Sequence, residues 1–332
     1  MKVESIFYKP LDVGVQCQLC SRFCVISDGD FGFCNTQRNV GGRLFSMNFG
    51  VFSSVGVDPI EKKPLYHFLP GSFTLSLGGF SCNMSCLNCQ NYMISQHSGE
   101  NFDKVNLLPE EIVKMAVDND CPSISWTYNE PTLYLQHILE TAKISQKQKI
   151  KNILITNGYM SKKALKTILP YIDAFNIDLK SIKPEFYKTI CNTNLKPILD
   201  NIKTIYKHKK HIEITNLLIT EHNTKTEEIL ELTKFIKNEL GKEVPIHFSR
   251  FHPQYKMTNT PPTPIKILHQ AKKIAKKQGL ENIYLGNIPE NQNSHCPHCG
   301  ETLIKRNNYT TQNKLKENKC PKCKKTLNYT IK

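Results

Sequence analysis

From residue 73 onwards the sequence alternates between short strand-forming runs and amphipathic stretches, and this alternation limits the fold more than any other feature. Six apolar runs are candidate strands, at residues 74–79, 123–128, 151–157, 173–180, 211–220 and 244–251. An amphipathic helical pattern follows each run, which gives six β-then-α units. Strands joined through helices run parallel with right-handed crossovers, and their near-continuous apolar character indicates that both faces are buried.

Two α/β architectures fit this pattern. Six units can curl into a partial (βα)6 barrel, whose chemistry would lie at the carboxyl ends of the strands, or they can form a flat doubly wound sheet. We expect three parts: a Cys-rich metal-binding module at residues 1–72, a core domain at 73–291 and an Asn/Lys-rich tail at 292–332. Thr132, Ser161 and Thr224 are predicted N-caps of three core helices.

The chain has 332 residues and 13 cysteines, and eleven of these cysteines fall into three tight groups. A hydrophobic fraction of 39% and a charged fraction of 22% are typical of a soluble globular protein. We find neither a spanning apolar run nor a signal peptide, and we therefore predict a cytoplasmic protein with no membrane partner. Because that compartment keeps thiols reduced, grouped cysteines indicate metal ligands and not disulfides. The isolated Cys121 and Cys191 are expected to be buried apolar residues.

The formal net charge is +15. Two four-thiolate zinc sites and one iron–sulfur cluster on three thiolates would lower it to about +10. A basic protein attracts acidic proteins, nucleic acids and anionic metabolites. The lysines are scattered and not interleaved with aromatic residues, which favours solvated helix faces over a nucleic-acid site.

Cys82, Cys86 and Cys89 form a C-x3-C-x2-C motif immediately after the first core strand. Three thiolates on one loop can bind three irons of a [4Fe–4S] cluster, whereas most such clusters have a fourth cysteine. The next cysteine, Cys121, lies thirty-two residues further on. Three ligands leave one iron open, as in a catalytic metal site. The alternative is a zinc site of three cysteines completed by His97.

A resemblance to a known family extends over nearly the whole chain. It is carried by CQLCSRFC at 17–24, GFC at 32–34, VDPIEKKPLYHFLPG at 57–71, the C-x3-C-x2-C motif and TYNEPT at 127–132. The chain resembles radical S-adenosylmethionine (SAM) proteins of the glycyl-radical-enzyme (pyruvate formate-lyase) activating enzyme branch, and more narrowly those of the AmmeMemoRadiSam system. One departure is Asn88, since the family usually has an aromatic residue there, beside the adenine. Tyr92 is the candidate replacement.

The resemblance implies an oxidoreductase that uses a [4Fe–4S] cluster and SAM. One electron from a donor protein cleaves SAM to a 5′-deoxyadenosyl radical, which abstracts hydrogen from a substrate that is a protein in activating enzymes. A catalytically idle scaffold acting through its metal modules is the alternative from another class. Methyl transfer from SAM is a third. It usually requires an additional nucleophile, and Cys191 is a candidate only if it faces the pocket.

The resemblance also implies a set of SAM contacts at strand ends. Glu130 is expected to accept from the SAM amino group, and Asp178 and Lys180 to lie near its carboxylate and ribose. The full set is Tyr128, Asn129, Glu130, Asn157, Asp178, Lys180 and His252. Each residue taken alone also fits an ordinary polar cap of a strand. Their joint position at the strand ends of one array favours a site.

Two more cysteine groups remain. Cys296, Cys299, Cys320 and Cys323 form two C-x2-C pairs that predict a zinc ribbon. The ribbon is too short to fold alone, so metal binding would supply its folding free energy. Cys17, Cys20, Cys24 and Cys34 supply four ligands for either structural zinc or a second iron–sulfur cluster.

Overall fold

The computed structural model describes residues 2–96 and 103–331. The strands are β1 (Val3–Glu4), β2 (Tyr8–Pro10), β3 (Val15–Cys17), β4 (Val25–Ile26), β5 (Gln37–Val40), β6 (Arg43–Ser46), β7 (Val51–Phe52), β8 (Ser54–Pro59), β9 (Phe73–Gly78), β10 (Val105–Asn106), β11 (Ser123–Trp126), β12 (Lys151–Thr156), β13 (Ala174–Asp178), β14 (His211–Leu218), β15 (Ile246–Arg250), β16 (Ile283–Gly286), β17 (Ser294–His295), β18 (Thr302–Asn307) and β19 (Thr310–Asn313). The α-helices are α1 (Tyr92–Ser95), α2 (Pro109–Asp118), α3 (Leu135–Lys147), α4 (Lys162–Ile168), α5 (Pro184–Thr189), α6 (Lys196–Lys207), α7 (Thr226–Leu240) and α8 (Ile265–Lys277), and short 3-10 helices cover Ile60–Lys62, Pro131–Tyr134 and Leu169–Tyr171.

The central sheet has eight strands in the order β16-β15-β14-β13-β12-β11-β9-β8. Strands β9 and β11 to β16 pair in parallel, while β8 joins the edge antiparallel to β9. The predicted parallel α/β sheet is confirmed; five of the six candidate runs contain their strands, and β9 begins one residue before the remaining run. The order follows the chain without the reversal that defines a doubly wound sheet. Sequence analysis missed β8 and the seventh parallel strand, β16.

The helices pack on one face of this sheet. Leu154, Phe175 and Ile212, which point to that face, share one buried cluster with Leu165 of α4 and Ile202 of α6. Ser161 caps α4 as predicted, since its Oγ accepts from the Ala164 N–H at 3.0 Å. The expected caps at Thr132 and Thr224 are wrong. Glu130 caps the short helix Pro131–Tyr134, and α7 begins one residue later than expected, with Lys225 as its N-cap. None of the helices in the described ranges is long and apolar enough to span a bilayer.

The other face of the sheet is covered by residues 60–69, which we call the inner segment. Phe68 and Leu65 pack against Ile153 of β12 and Ala174 of β13 in a separate buried cluster. The carbonyl of Pro64 accepts from Asn176 Nδ2 at 2.7 Å. The inner segment therefore fills the amino-terminal half of this face and leaves the carboxyl-terminal half open.

A buried carboxylate, Glu213 of β14, anchors the inner segment. It accepts from the backbone N–H groups of Tyr66 and His67 at 2.9 and 2.8 Å. His211 Nε2 and His247 Nε2 lie 3.0 and 2.7 Å from its two oxygens. Although burial opposes the charge, these two imidazoles hold the pKa of Glu213 well below its ordinary value. The carboxylate thus joins two strands to the inner segment.

The C-terminal tail packs against the inner segment. Arg306 of β18 is buried, donates to the Tyr66 carbonyl at 2.7 Å and lies 3.5 Å from Glu61. The backbone of Thr330 pairs with His67 and Leu69. Tail residues Asn328 and Tyr329 share a cavity with Glu243 and Asn282, which precede β15 and β16, so the tail lies at the end of the sheet away from the strands' carboxyl ends. The proposed division at residues 72 and 291 stays a prediction, and β8 links the first part to the main sheet.

Candidate active site

The C-x3-C-x2-C motif lies on residues 79–89, here called the cluster loop, directly after β9. A Cβ on Gly78 would lie 2.7 Å from Tyr128, and one on Gly79 would overlap the Tyr134 hydroxyl. That hydroxyl donates to the Phe80 carbonyl at 2.8 Å. Asn129 accepts from the Gly79 N–H at 3.0 Å and donates to the carbonyls of Phe80 and Ser81. The glycines allow this close approach, which fixes where the loop leaves the sheet.

The three cysteines of the cluster loop face one cavity of about 430 Å³. Cys82 Sγ accepts from the Met84 N–H at 3.4 Å and from Asn157 Nδ2 at 3.7 Å. Burial raises the pKa of Cys82 and of Cys89. The pKa of Cys86 is lowered, first by a hydrogen bond with the Cys191 thiol and then by the nearby Lys180 charge.

The cavity opens at the carboxyl ends of the seven parallel strands, β9 and β11 to β16. Predicted site residues in its wall are Cys82, Cys86, Cys89, Tyr128, Asn129, Glu130, Asn157, Asp178 and Lys180. Sequence analysis missed other wall residues, among them Lys62, Lys63, Thr215, Leu217, Ser249 and Asn287. Thr215, Leu217 and Ser249 lie on the same sheet face as Asp178, which strand alternation could have revealed. The two lysines lie in the segment 57–71 that carries the family resemblance, but no residue pattern assigns them a role.

Glu130 is 2% exposed and lines the cavity. Its Oε1 accepts from the Thr132 N–H at 3.0 Å, the Thr132 hydroxyl at 2.5 Å and the Thr156 hydroxyl at 2.7 Å. Its Oε2 accepts only the Asn157 N–H, at 2.8 Å, among these hydrogen bonds. Burial raises the pKa of this carboxyl, because its partners are all neutral donors. The carboxylate is thus held in a fixed orientation and can still accept a cationic ligand.

Lys180 and Asp178 form an ion pair of 3.1 Å in the cavity wall. Although burial opposes the charge, Asp178 and Cys86 raise the pKa of Lys180 well above its ordinary value. Asn157 donates to Asn83 Oδ1 at 2.8 Å, and it therefore connects the end of β12 to the cluster loop. The wall thus presents a cation and an anion side by side, close to Cys86.

Three predicted contacts have other surroundings. Tyr128 lines the cavity, but its hydroxyl donates to Asp58 Oδ2 at 2.5 Å. The side chain of Asn129 makes its hydrogen bonds with the backbone of the cluster loop. His252 is exposed after β15 and is not among the cavity residues. Tyr92 stacks on Tyr255 with ring centroids 5.0 Å apart. SAM contacts through His252 therefore stay a prediction.

The residues fit a [4Fe–4S] cluster and SAM. Three thiolates reach the cavity, and Asn88 Oδ1, buried in the same wall, has no hydrogen-bond partner. An orphaned acceptor is costly unless a ligand satisfies it. Cys191 is fully buried and is not part of the wall, which removes the condition for methyl transfer through this thiol. His97, the alternative zinc ligand, lies outside the described residues.

The C-terminal cysteines adopt the geometry of a tetrahedral metal site. Cys296 Sγ lies 3.7 Å from Cys323 Sγ, and Cys299 Sγ lies 3.7 Å from Cys320 Sγ. All four sulfur atoms lie within 4.8 Å of one another. Tetrahedral zinc with bonds of about 2.3 Å requires such spacing. This quartet is compatible with the predicted ribbon.

Comparisons with known proteins identify the family of the core domain and several similar chains. Residues 78–236 match the model of the Radical SAM superfamily. The chain is 43% identical over 306 residues to the uncharacterized protein MJ0808 of Methanocaldococcus jannaschii, covering 91% of each chain. It is 26% identical over 115 residues to the (2S)-3-sulfopropanediol dehydratase activating enzyme of Klebsiella oxytoca, covering 35% of this chain and 36% of that enzyme.

A solved structure shares the fold. Streptococcus suis SuiB bound to its precursor peptide SuiA superposes with a TM-score of 0.51 at 16% identity, covering 69% of this chain and 51% of SuiB. The chain thus spans about half of SuiB, and the likeness concerns the fold alone. The family match begins at Gly78 and includes the whole cluster loop and the ends of β11 to β14. The chain belongs to the radical SAM superfamily, whose members are enzymes that cleave SAM at an iron–sulfur cluster.

Proposed function

We propose that this protein cleaves SAM reductively and uses the resulting radical to abstract hydrogen from a protein substrate, as activating enzymes do. One observation carries the proposal: three cluster cysteines face the same cavity as a buried, uncompensated carboxylate and a lysine–aspartate pair. When bound at that loop, a [4Fe–4S] cluster supplies the electron and an open iron for the amino acid part of SAM.

Different cavity residues then contact different groups of SAM. Glu130 Oε2 accepts from the SAM ammonium group, which compensates the buried charge. Lys180 donates to the SAM carboxylate, and Asp178 keeps the lysine oriented and charged. The free Oδ1 of Asn88 accepts from the adenine amino group. This hydrogen bond takes the place of the contact that an aromatic residue usually makes with the adenine in the family.

The protein substrate is supported by one relative and by one protein that shares the fold. The Klebsiella relative is an activating enzyme, and the SuiB structure holds a precursor peptide. A one-electron donor protein is required as second partner, and the basic charge suits an acidic one. We also propose membership of the AmmeMemoRadiSam group and zinc in the C-terminal ribbon. None of these features requires a nucleic acid.

The test is production of 5′-deoxyadenosine from SAM by anaerobically purified protein under reduction with dithionite. We expect product from the wild type and none from a Cys82→Ala/Cys86→Ala/Cys89→Ala variant. Cys121→Ala is the matched control, because this buried cysteine lies outside the cavity wall and should leave the yield unchanged. A wild-type protein that holds its cluster and leaves SAM intact would favour the idle scaffold.

A further inference from the structure

The four cysteines Cys17, Cys20, Cys24 and Cys34, called the N-terminal quartet, meet at one place in the fold. The Cys17 N–H donates to the Cys24 carbonyl at 2.9 Å, and the Phe23 N–H donates to the Cys20 carbonyl within the turn between them. A Cβ on Gly32 would lie 3.8 Å from the Cys24 Cβ, which brings the Cys34 turn against the same loop. Cys17, Cys20 and Cys34 are each at most 8% exposed.

The spacing of these sulfur atoms differs from that of the C-terminal quartet. Within the described part of the chain, the C-terminal quartet is the group whose ligand atoms all lie within 4.8 Å of one another. Neither the N-terminal quartet nor the three cluster-loop cysteines meets that distance. Zinc draws four sulfurs around one ion, whereas a cubane cluster spreads them because each thiolate binds a different iron. The N-terminal quartet therefore shares the wider arrangement of the catalytic cysteines.

The quartet is also tied directly to the cluster loop. The Cys34 carbonyl accepts from the hydroxyl of Ser81, the residue before Cys82, at 2.5 Å. Arg22, inside the quartet loop, donates to the Asn83 carbonyl at 2.6 Å and to the Asn192 carbonyl at 2.5 Å. The backbone of Cys20 pairs with Met160, beyond the end of β12. These contacts fix the quartet beside the catalytic loop.

We infer that the N-terminal quartet binds a second, fully cysteine-ligated iron–sulfur cluster and not zinc, held against the loop of the catalytic cluster. Four thiolates leave no iron open, so this cluster does not bind SAM. Its position between the surface turn of Phe23, which is 43% exposed, and the cluster loop suits a redox centre on the way to the catalytic site. The inference does not depend on the proposed substrate.

The test uses the full chain carrying Cys82→Ala/Cys86→Ala/Cys89→Ala. This variant is reconstituted anaerobically with ferrous iron and sulfide, and zinc is present at the same concentration as the iron. We expect about four iron atoms and about four sulfides per chain to remain, half of the wild-type content of about eight. The zinc content stays at about one, in the C-terminal quartet. After reduction, the electron paramagnetic resonance (EPR) signal of this variant should not change when SAM is added.

A variant without iron, with either one or two zinc ions per chain, would overturn the inference. If the triple variant fails to fold, Cys17→Ala/Cys34→Ala in the otherwise native chain gives the same answer. Its iron should fall from about eight to about four, and its EPR signal should still respond to SAM. Iron unchanged at about four in both the native chain and this variant would refute the second cluster without touching the first. Cys121→Ala, which removes a non-ligand thiol, should keep the wild-type iron content.

Discussion

Glu130→Gln is the substitution that tests the SAM cradle most sharply. Glu130 Oε1 has three donors and Oε2 has one. The glutamine oxygen can keep the three donors, which leaves the amide nitrogen facing the Asn157 N–H and unable to accept from the SAM ammonium. A hydrogen bond to a charged group contributes about 1.5–3 kcal/mol. The dissociation constant of SAM should therefore rise roughly 10- to 150-fold.

Isothermal titration of the reconstituted protein with SAM measures this change. The iron content should stay at the wild-type value, because Glu130 does not contact a cysteine sulfur in the described hydrogen bonds. Glu227→Gln is the matched control, since Glu227 is exposed in the first turn of α7 and should leave the affinity unchanged. Wild-type SAM affinity in Glu130→Gln would refute the assignment of this carboxylate to the ammonium group.

Three further predictions concern the loop, the inner segment and the ribbon. The Gly79→Ala variant should lose most of its iron, because the added methyl group overlaps the Tyr134 hydroxyl. The Gly56→Ala variant is the control and should keep its iron, since a methyl group there lies in open space. Equal iron content in the two variants would contradict the packing argument. Burial lowers the pKa of His67 to about 3. Below pH 6.5 this imidazole is therefore protonated in the unfolded chain but stays neutral in the folded chain. The free energy of unfolding, measured with urea, should fall between pH 6.5 and 4.5 by up to about 1.4 kcal/mol per pH unit, and His67→Gln should reduce this slope. An identical slope in both proteins would remove His67 as the cause. Cys299→Ser should release about one zinc ion and lower the melting temperature with iron unchanged; loss of iron instead would contradict the zinc assignment.

The residues at strand ends could be predicted from sequence because their positions follow from local rules. Parallel strands place their carboxyl ends together, so Glu130, Asn157 and Asp178 had to meet once the strands were located. The C-x3-C-x2-C spacing likewise identified the cluster loop without any tertiary information. These features depend on period and spacing, which a single sequence carries.

The inner segment could not be predicted, because its burial depends on partners far away in the chain. Lys63 is 1% exposed, with its Nζ 2.6 Å from Asp58, whereas lysine is normally a surface residue. Glu213 meets Tyr66 across nearly 150 residues. The edge strand β8 contains Gly56 and ends at Pro59, residues that weaken a strand signal. Such contacts are set by the assembled sheet and have no local pattern.

The central claim is that the cluster loop holds a cluster with one iron open to SAM. EPR spectroscopy of the dithionite-reduced Cys17→Ala/Cys34→Ala protein, recorded with and without SAM, tests it most directly, because only the catalytic cluster remains. The account predicts that SAM changes the spectrum, and that Glu130→Gln in the same background needs more SAM for the same change. A spectrum that stays the same at saturating SAM, from a protein with about four iron atoms per chain, would contradict the account.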